Sequence, residues 1–136
     1  MFNFFDHTAD LGIHVEGATL NTLFAEAGRA LTAAMVDDPT TIRPIQLETI
    51  EIAGTDITYL LFDWLNELLY RFEGRRILYC TFDVGVSDHG LTGTIAGEPI
   101  DPTRHPLGHE VKAITYHGLS LEEQDGTWVA EVIVDI

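Results

Sequence analysis

The feature that most limits what this chain can fold into is the segment from Asp56 to Gly74, "DITYLLFDWLNELLYRFEG". Leu60, Leu61, Trp64, Leu65, Leu68, Leu69 and Phe72 recur at helical spacing, and the stripe they form is too wide to be left in water. A helix of this kind must lie flat on an apolar surface. Asp56 is placed to cap its start and Gly74 to end it. Glu67 and Arg71 stand four apart in the favourable order and are expected to pair on the wet side, for about 0.3 kcal/mol.

The surface under that helix has to come from strands, because most of the remaining chain alternates. Phe2 to Phe5 and Leu11 to Gly17 read as two strands, the second with Leu11, Ile13 and Val15 on one face and His14 and Glu16 on the other. The cluster "DHTAD" is then the connection, with Asp6 in the turn. Leu20, Leu23, Phe24, Ala27, Leu31, Ala34 and Met35 predict another helix, with Thr19 as N-cap; Thr22 occupies the position where a capping-box acid is expected. Between Ile45 and Ile52 the apolar phase shifts around Thr49, which predicts a strand with a bulge.

After the long helix, Leu78 to Val86 and Leu91 to Ala96 form a hairpin through "SDHG". Val111 to Leu121 and Thr127 to Val134 form another through "EEQDG", where Asp125-Gly126 is a strong turn signal. Apolar residues on both faces of the last strand predict a central position in its sheet. The stretch "GEPIDPTRHPLGHE" is rich in proline and glycine and predicts a long irregular loop, a candidate surface for a partner or a site. Short reversals dominate, so the expected fold is α+β: a two-layer domain with a mixed, mainly antiparallel sheet and two helices packed on it.

With 136 residues, 46% of them hydrophobic, the chain suits one domain over 1–136 with a real core. No apolar run approaches the roughly 18 residues of a spanning helix, and the start lacks a signal-peptide pattern. The expectation is a cytoplasmic protein with no membrane partner. The single cysteine, Cys80, rules out an internal disulfide and reads as a small buried hydrophobe.

Charge separates the function classes further. Seven Lys+Arg against 22 Asp+Glu give a net charge of −15, which repels the phosphate backbone that supplies most nucleic-acid affinity. Direct tight binding of RNA or DNA is not expected. An acidic surface of this kind suits solubility, or a basic protein partner. No phosphate loop, nucleophile elbow or Ser/His/Asp arrangement is present. His105 and His109 have zinc-pair spacing, but Pro106 and Gly108 break the helix such a pair needs, so both are expected as solvated loop residues. His14 and His89 are expected to be exposed, and His117 to lie within a strand.

Asp10 and Asp135 stand apart because each borders a segment that should be buried, where a carboxylate calls for a cation or donors. Hard oxygen ligands suit Ca²⁺, Mg²⁺ or Mn²⁺, and the carboxylate of Ile136 adds an oxygen if the chain ends there natively. Pairing of the first and last strands would join the two aspartates in one site. The plainer readings are a turn residue for Asp10 and a frayed polar end for Asp135.

Four segments in order, "DHTADLGIHVEG", "FDWLNELLYRFE", "GEPIDPTRHPLGHEVKAITYHGL" and "WVAEVIVDI", resemble the archease family. The resemblance spans nearly the whole chain. It implies a compact α/β fold and an accessory role rather than an enzyme. Archeases promote GTP-dependent guanylylation and multiple turnover of RtcB-type RNA ligases in tRNA splicing or RNA repair, a step that depends on a divalent cation. The family's metal pattern falls on Asp10, and on Asp135 with Ile136; a further functional lysine falls on Lys112, and His7 opens the first motif as a supporting residue. Two other classes remain: a chaperone-like acidic binding module without metal chemistry, and a small hydrolase whose carboxylate-held cation activates water.

Overall fold

The structure is a computed structural model that describes residues 1–7 and 10–136; Thr8 and Ala9, the middle of the expected turn, lie outside the described residues. Its strands are β1 (Phe2–His7), β2 (Asp10–Gly17), β3 (Gln46–Ala53), β4 (Ile77–Ser87), β5 (Gly90–Pro99), β6 (Ala113–Gln124) and β7 (Thr127–Asp135), and its helices are α1 (Leu20–Met35) and α2 (Ile57–Arg75). They build an α+β fold in which the strands divide into two sheets, β1-β2-β7-β6 and β3-β5-β4. Every pairing is antiparallel. β7 is central in its sheet, as its two apolar faces required.

The helices begin where their caps dictate. Thr19 accepts the backbone N–H of Thr22 at 3.1 Å, and the Thr22 hydroxyl returns the bond to the Thr19 N–H at 3.0 Å, so a threonine does the work of the expected acid. Asp56 accepts the N–H groups of Thr58 and Tyr59. The second helix does not stop at Gly74. It runs to Arg75 and ends on Arg76 in the left-handed conformation (φ 55°), with the Arg76 guanidinium lying over the Phe72 ring at 4.6 Å.

α1 packs on β2 and β4, one strand from each sheet, and α2 packs chiefly on β6. Trp64 joins the two helices: it is fully buried, and its indole N–H donates to the Phe24 carbonyl at 2.9 Å. The main core gathers Ile13, Val15, Val132 and Val134 from the four-stranded sheet with Leu61, Leu65 and Leu68 from α2. Asp125 (φ 52°) and Gly126 (φ 82°) make the β6–β7 turn, with both central residues at positive φ as a two-residue reversal demands.

Two expectations about the strands and loops need correction. β3 carries no bulge; its register with β5 is unbroken from Gln46↔Gly97 to Ala53↔Gly90. The apparent phase shift arises because Glu48 takes an inward position, where it accepts hydrogen bonds from Arg71 (2.6 Å), Arg75 and the Tyr79 hydroxyl (2.7 Å). Burial opposes charge on Glu48, but those donors outweigh it and its pKa is lowered; burial, followed by the Glu48 carboxylate, pushes the Tyr79 hydroxyl up to about 12. Arg71 also bonds Glu67 at 3.0 Å, so the expected helix pair is real but belongs to a partly buried cluster. The irregularities lie in β4, where half-buried Cys80 is the extra residue, and in β6 between Thr115 and Ser120.

The second correction concerns His105, which is fully buried rather than solvated. Its Nδ1 accepts the Asp101 N–H at 2.8 Å, so the ring proton sits on Nε2, which donates to Glu98 at 3.1 Å. Glu98, 3% exposed, also accepts from Arg104 (2.6 Å) and from the Arg43 backbone (2.7 Å). The network pins the Pro- and Gly-rich loop to β5, and the amides of Gly108 and His109 then cap the last carbonyls of α1. His109 itself is exposed.

Arg104 and the other donors depress the Glu98 pKa to about 2 from an ordinary 4.5. A depressed carboxylate contributes stability that is present above its unfolded value and is lost as pH falls toward the folded one. Glu98→Ala should therefore lower stability by about 3 kcal/mol at neutral pH, read as a fall in the urea midpoint, and the variant's deficit should shrink between about pH 4.5 and 2. An unchanged midpoint would contradict the role given to this network.

Candidate metal centre

Strand pairing, not proximity in sequence, builds the candidate site. The last strand pairs with β2 rather than with β1, and in that register Asp10 stands directly opposite Asp135. Residues opposite one another on neighbouring strands point to the same face, with Cβ atoms about 4.5–5.5 Å apart. On the other side of β2, His7 is opposite Asp10, and beyond β7, Ala113 is opposite Asp135. One row across the sheet therefore reads His7, Asp10, Asp135, Ala113. Asp6 is not a turn residue; it lies in β1 opposite Leu11.

Contacts within the row and at its end bear on the two aspartates. His7 Nδ1 lies 3.7 Å from the Asp10 carboxylate, a neighbour just beyond hydrogen-bond distance. The Lys112 N–H donates to the Asp135 carbonyl at 2.7 Å, which brings the exposed lysine to the end of β7. Ile136 packs its half-buried side chain on the main core, so the residue after Asp135 is anchored. One step along the same face, the Phe5 ring covers Gly12, where any Cβ would fall 2.2 Å from a ring carbon. Phe5 and buried Ile133 thus make an apolar floor beside two half-exposed carboxylates.

The donor set determines what the row can hold. Among the described residues, no three His, Cys, Asp or Glu side chains cluster as a complete metal cage. Two carboxylates supply two to four oxygens, whereas a hard divalent cation takes about six or more. Such a donor set could form at most a half-site, in which Asp10 and Asp135 would hold an ion by one side. Ile136, next in sequence, could add main-chain oxygen, and water or the oxygens of another molecule would fill the remaining positions.

Two steps further along the face lies a cluster that sequence reading missed. His14, taken as exposed, has its Nδ1 on Glu131 and its Nε2 on Glu16, each at 3.0 Å, and its side chain is 25% exposed. Glu131 is its register partner on β7. Strand alternation already puts Glu16 on the face of His14, whereas Glu131 joins them only through the pairing register. His89 is exposed as expected, and His117 is exposed within the β6 irregularity.

The fold and this row define a class: an α+β protein whose second and last strands pair centrally and line up two aspartates on an exposed sheet face. The chain belongs to the Archease protein family, whose sequence profile matches residues 2–136. It is 40% identical to a protein archease of Methanopyrus kandleri, with 96% of each chain covered. It is 34% identical to that of Sulfurisphaera tokodaii, over 99% of this chain and 98% of the relative. The solution structure of Methanobacterium thermoautotrophicum protein 1598 superposes with a TM-score of 0.88 at 36% identity, covering 99% of this chain and 98% of that one. A Thermotoga maritima structure described as an archease, possible chaperone, shares the fold at a TM-score of 0.71 and 20% identity, covering 100% and 98%. No helix among the described residues is long and apolar enough to cross a membrane.

Glu131 raises the His14 pKa above its ordinary 6.5, burial pulls against it, and Glu16 reinforces the rise. A raised histidine contributes stability that is fully present below its unfolded value and is lost as pH rises through the folded one. The urea midpoint should accordingly decline as pH climbs past 6.5, and Glu131→Gln should flatten that decline. Equal slopes for the two proteins would remove the link between His14 and the β2–β7 pairing.

Proposed function

We propose that this protein is an accessory factor, not a stand-alone enzyme, that promotes GTP-dependent guanylylation and multiple turnover of an RtcB-type RNA ligase in tRNA splicing or RNA repair. The observation that supports it best is the register Asp10↔Asp135, which sets both half-exposed carboxylates on one face of the sheet, with the Lys112 backbone bonded to Asp135. Two carboxylates suit an Mg²⁺ or Mn²⁺ ion shared with phosphate oxygens better than the crowded oxygen cage of a tight Ca²⁺ site. Such an ion, when bound, neutralises charge that develops in phosphoryl transfer. Asp10 and Asp135 would hold it, His7 would orient Asp10, and Ile136 would fix the end of β7 and lend main-chain oxygen. Lys112, tethered through its backbone to Asp135, would meet a phosphate or a partner carboxylate with its ammonium group.

The chain's net charge of −15 argues for contact with the ligase protein, which must present a basic surface to its RNA, over contact with the RNA. A pair of half-exposed carboxylates on a sheet face also fits delivery into another protein better than hydrolysis of a substrate of its own. A chaperone-like module that uses no metal remains the alternative, and one experiment separates them.

Purified RtcB-type ligase is incubated with labelled GTP and Mn²⁺, alone or with this protein, and ligase guanylylation is followed. Wild-type protein should accelerate it, and Asp10→Ala or Asp135→Ala should abolish most of the acceleration with the urea midpoint little changed. Lys112→Ala should reduce it. No acceleration by the wild type would overturn the activator role; full acceleration by both aspartate variants would leave an activator without this metal site.

A further inference from the structure

The exposed ridge of α2 has a composition that neither the core nor the aspartate row accounts for. Tyr59 is 51% exposed and Tyr70 68% exposed, although both lie on a helix whose other side is fully buried. They stand eleven positions apart, close to three full turns, so they project from the same side about 16 Å from each other. At the amino-terminal end the ridge widens onto β6. Tyr116, 48% exposed, packs against Tyr59 with ring centroids 5.0 Å apart and the planes tilted by 38°, and Phe62 meets both edge-on at 6.0 and 5.4 Å. Tyr116 owes this position to the β6 irregularity between Thr115 and Ser120 on an edge strand.

Carboxylates punctuate the ridge. Asp63 follows Tyr59 by four and Glu73 follows Tyr70 by three, so each neighbours a tyrosine on the helix surface. Among the described residues neither pairs with a cation, whereas Glu67 and Glu48, on the flank toward β3, are paired with Arg71 and Arg75. The helix thus has one neutralised flank and one ridge of uncompensated charge set between aromatic faces.

We propose that the α2–β6 ridge formed by Tyr59, Tyr70 and Tyr116 with Asp63 and Glu73 docks an arginine-bearing basic segment of a partner protein. A guanidinium stacks on a tyrosine face and forks to a neighbouring carboxylate at once, which an ammonium group does less well. An extended segment spans the ridge in about five residues. A second copy of this chain would bring −15 against −15, and RNA would bring phosphates to unpaired carboxylates, so charge selects a cationic protein. The surface is separate from the aspartate row and does not depend on the metal reading.

The test uses the full chain, isotope-labelled, titrated with a synthetic Gly/Ser peptide carrying two arginines about five residues apart, with its two-lysine counterpart, and with single-stranded oligouridylate. Amide shifts should map to residues 56–73 and 113–118 with the arginine peptide, which should bind more tightly than the lysine peptide. Tyr59→Ala with Tyr70→Ala should weaken the arginine peptide at least about five-fold and remove its advantage. Asp63→Asn with Glu73→Gln, which spares the apolar stripe, should weaken both peptides and lower the salt dependence. Replacing the acids Glu51 and Asp83 on the other sheet, by Gln and Asn, should have a smaller effect. The proposal is overturned by equal affinity for the two peptides with no effect of the tyrosine pair, by shifts centred elsewhere, by no binding at millimolar peptide, or by tighter binding of oligouridylate to the same ridge.

Discussion

The antiparallel pairing of β2 with β7 is the interaction on which the rest of the structure depends. It joins residues more than a hundred positions apart, so its loop-closure cost is met only if both strands bury well. On the inner face Leu11, Ile13 and Val15 stand opposite Val134, Val132 and Ala130, all buried under the helices. A slip of one residue would turn those side chains to water and bring the acidic residues inward, so the apolar face fixes the register. The same register, read on the outer face, puts Asp10 against Asp135 and His14 against Glu131. Packing on one side of the sheet therefore sets the chemistry on the other.

Much of the local structure was legible in the sequence because local rules govern it. The leucine stripe and Asp56 set α2, Thr19 sets α1, and Asp125-Gly126 sets the last hairpin. Gly74 reads as a stop, but a helix can also end on a non-glycine residue in the left-handed region, and Arg76 does so while stacking on Phe72. Apolar alternation cannot distinguish an extra residue from an inward charge, and in β3 the phase shift comes from Glu48, an inward charge with three donors. His105 looks solvated amid prolines and glycines, yet both its ring nitrogens are satisfied inside, Nδ1 by the Asp101 N–H and Nε2 by Glu98 seven residues earlier. The division of the strands into two sheets also rests on long-range pairing that no local signal encodes.

The same distinction applies to the site. Asp10 and Asp135 were identifiable as carboxylates at the edges of apolar strands, but their union needed the partner strand, which turned out to be β2. Lys112 is tied to the row by a backbone bond that side-chain chemistry would not suggest. The large acidic excess is not spread evenly in function: Glu48 and Glu98 are enclosed by arginines and stabilise the fold, Glu16 and Glu131 hold a histidine, and Asp10 and Asp135 are left half-exposed together.

The central claim is that those two aspartates form one divalent-cation site. Its most direct test is Mn²⁺ titration of the labelled protein, reading paramagnetic broadening residue by residue. Amides of Asp10, Asp135 and Lys112 should broaden together at the lowest ion concentrations, and Asp135→Asn should relieve the broadening at Asp10 as well as at its own position. Broadening that begins at Glu16 and Glu131, or that persists at Asp10 when Asp135 is replaced, would contradict a shared site.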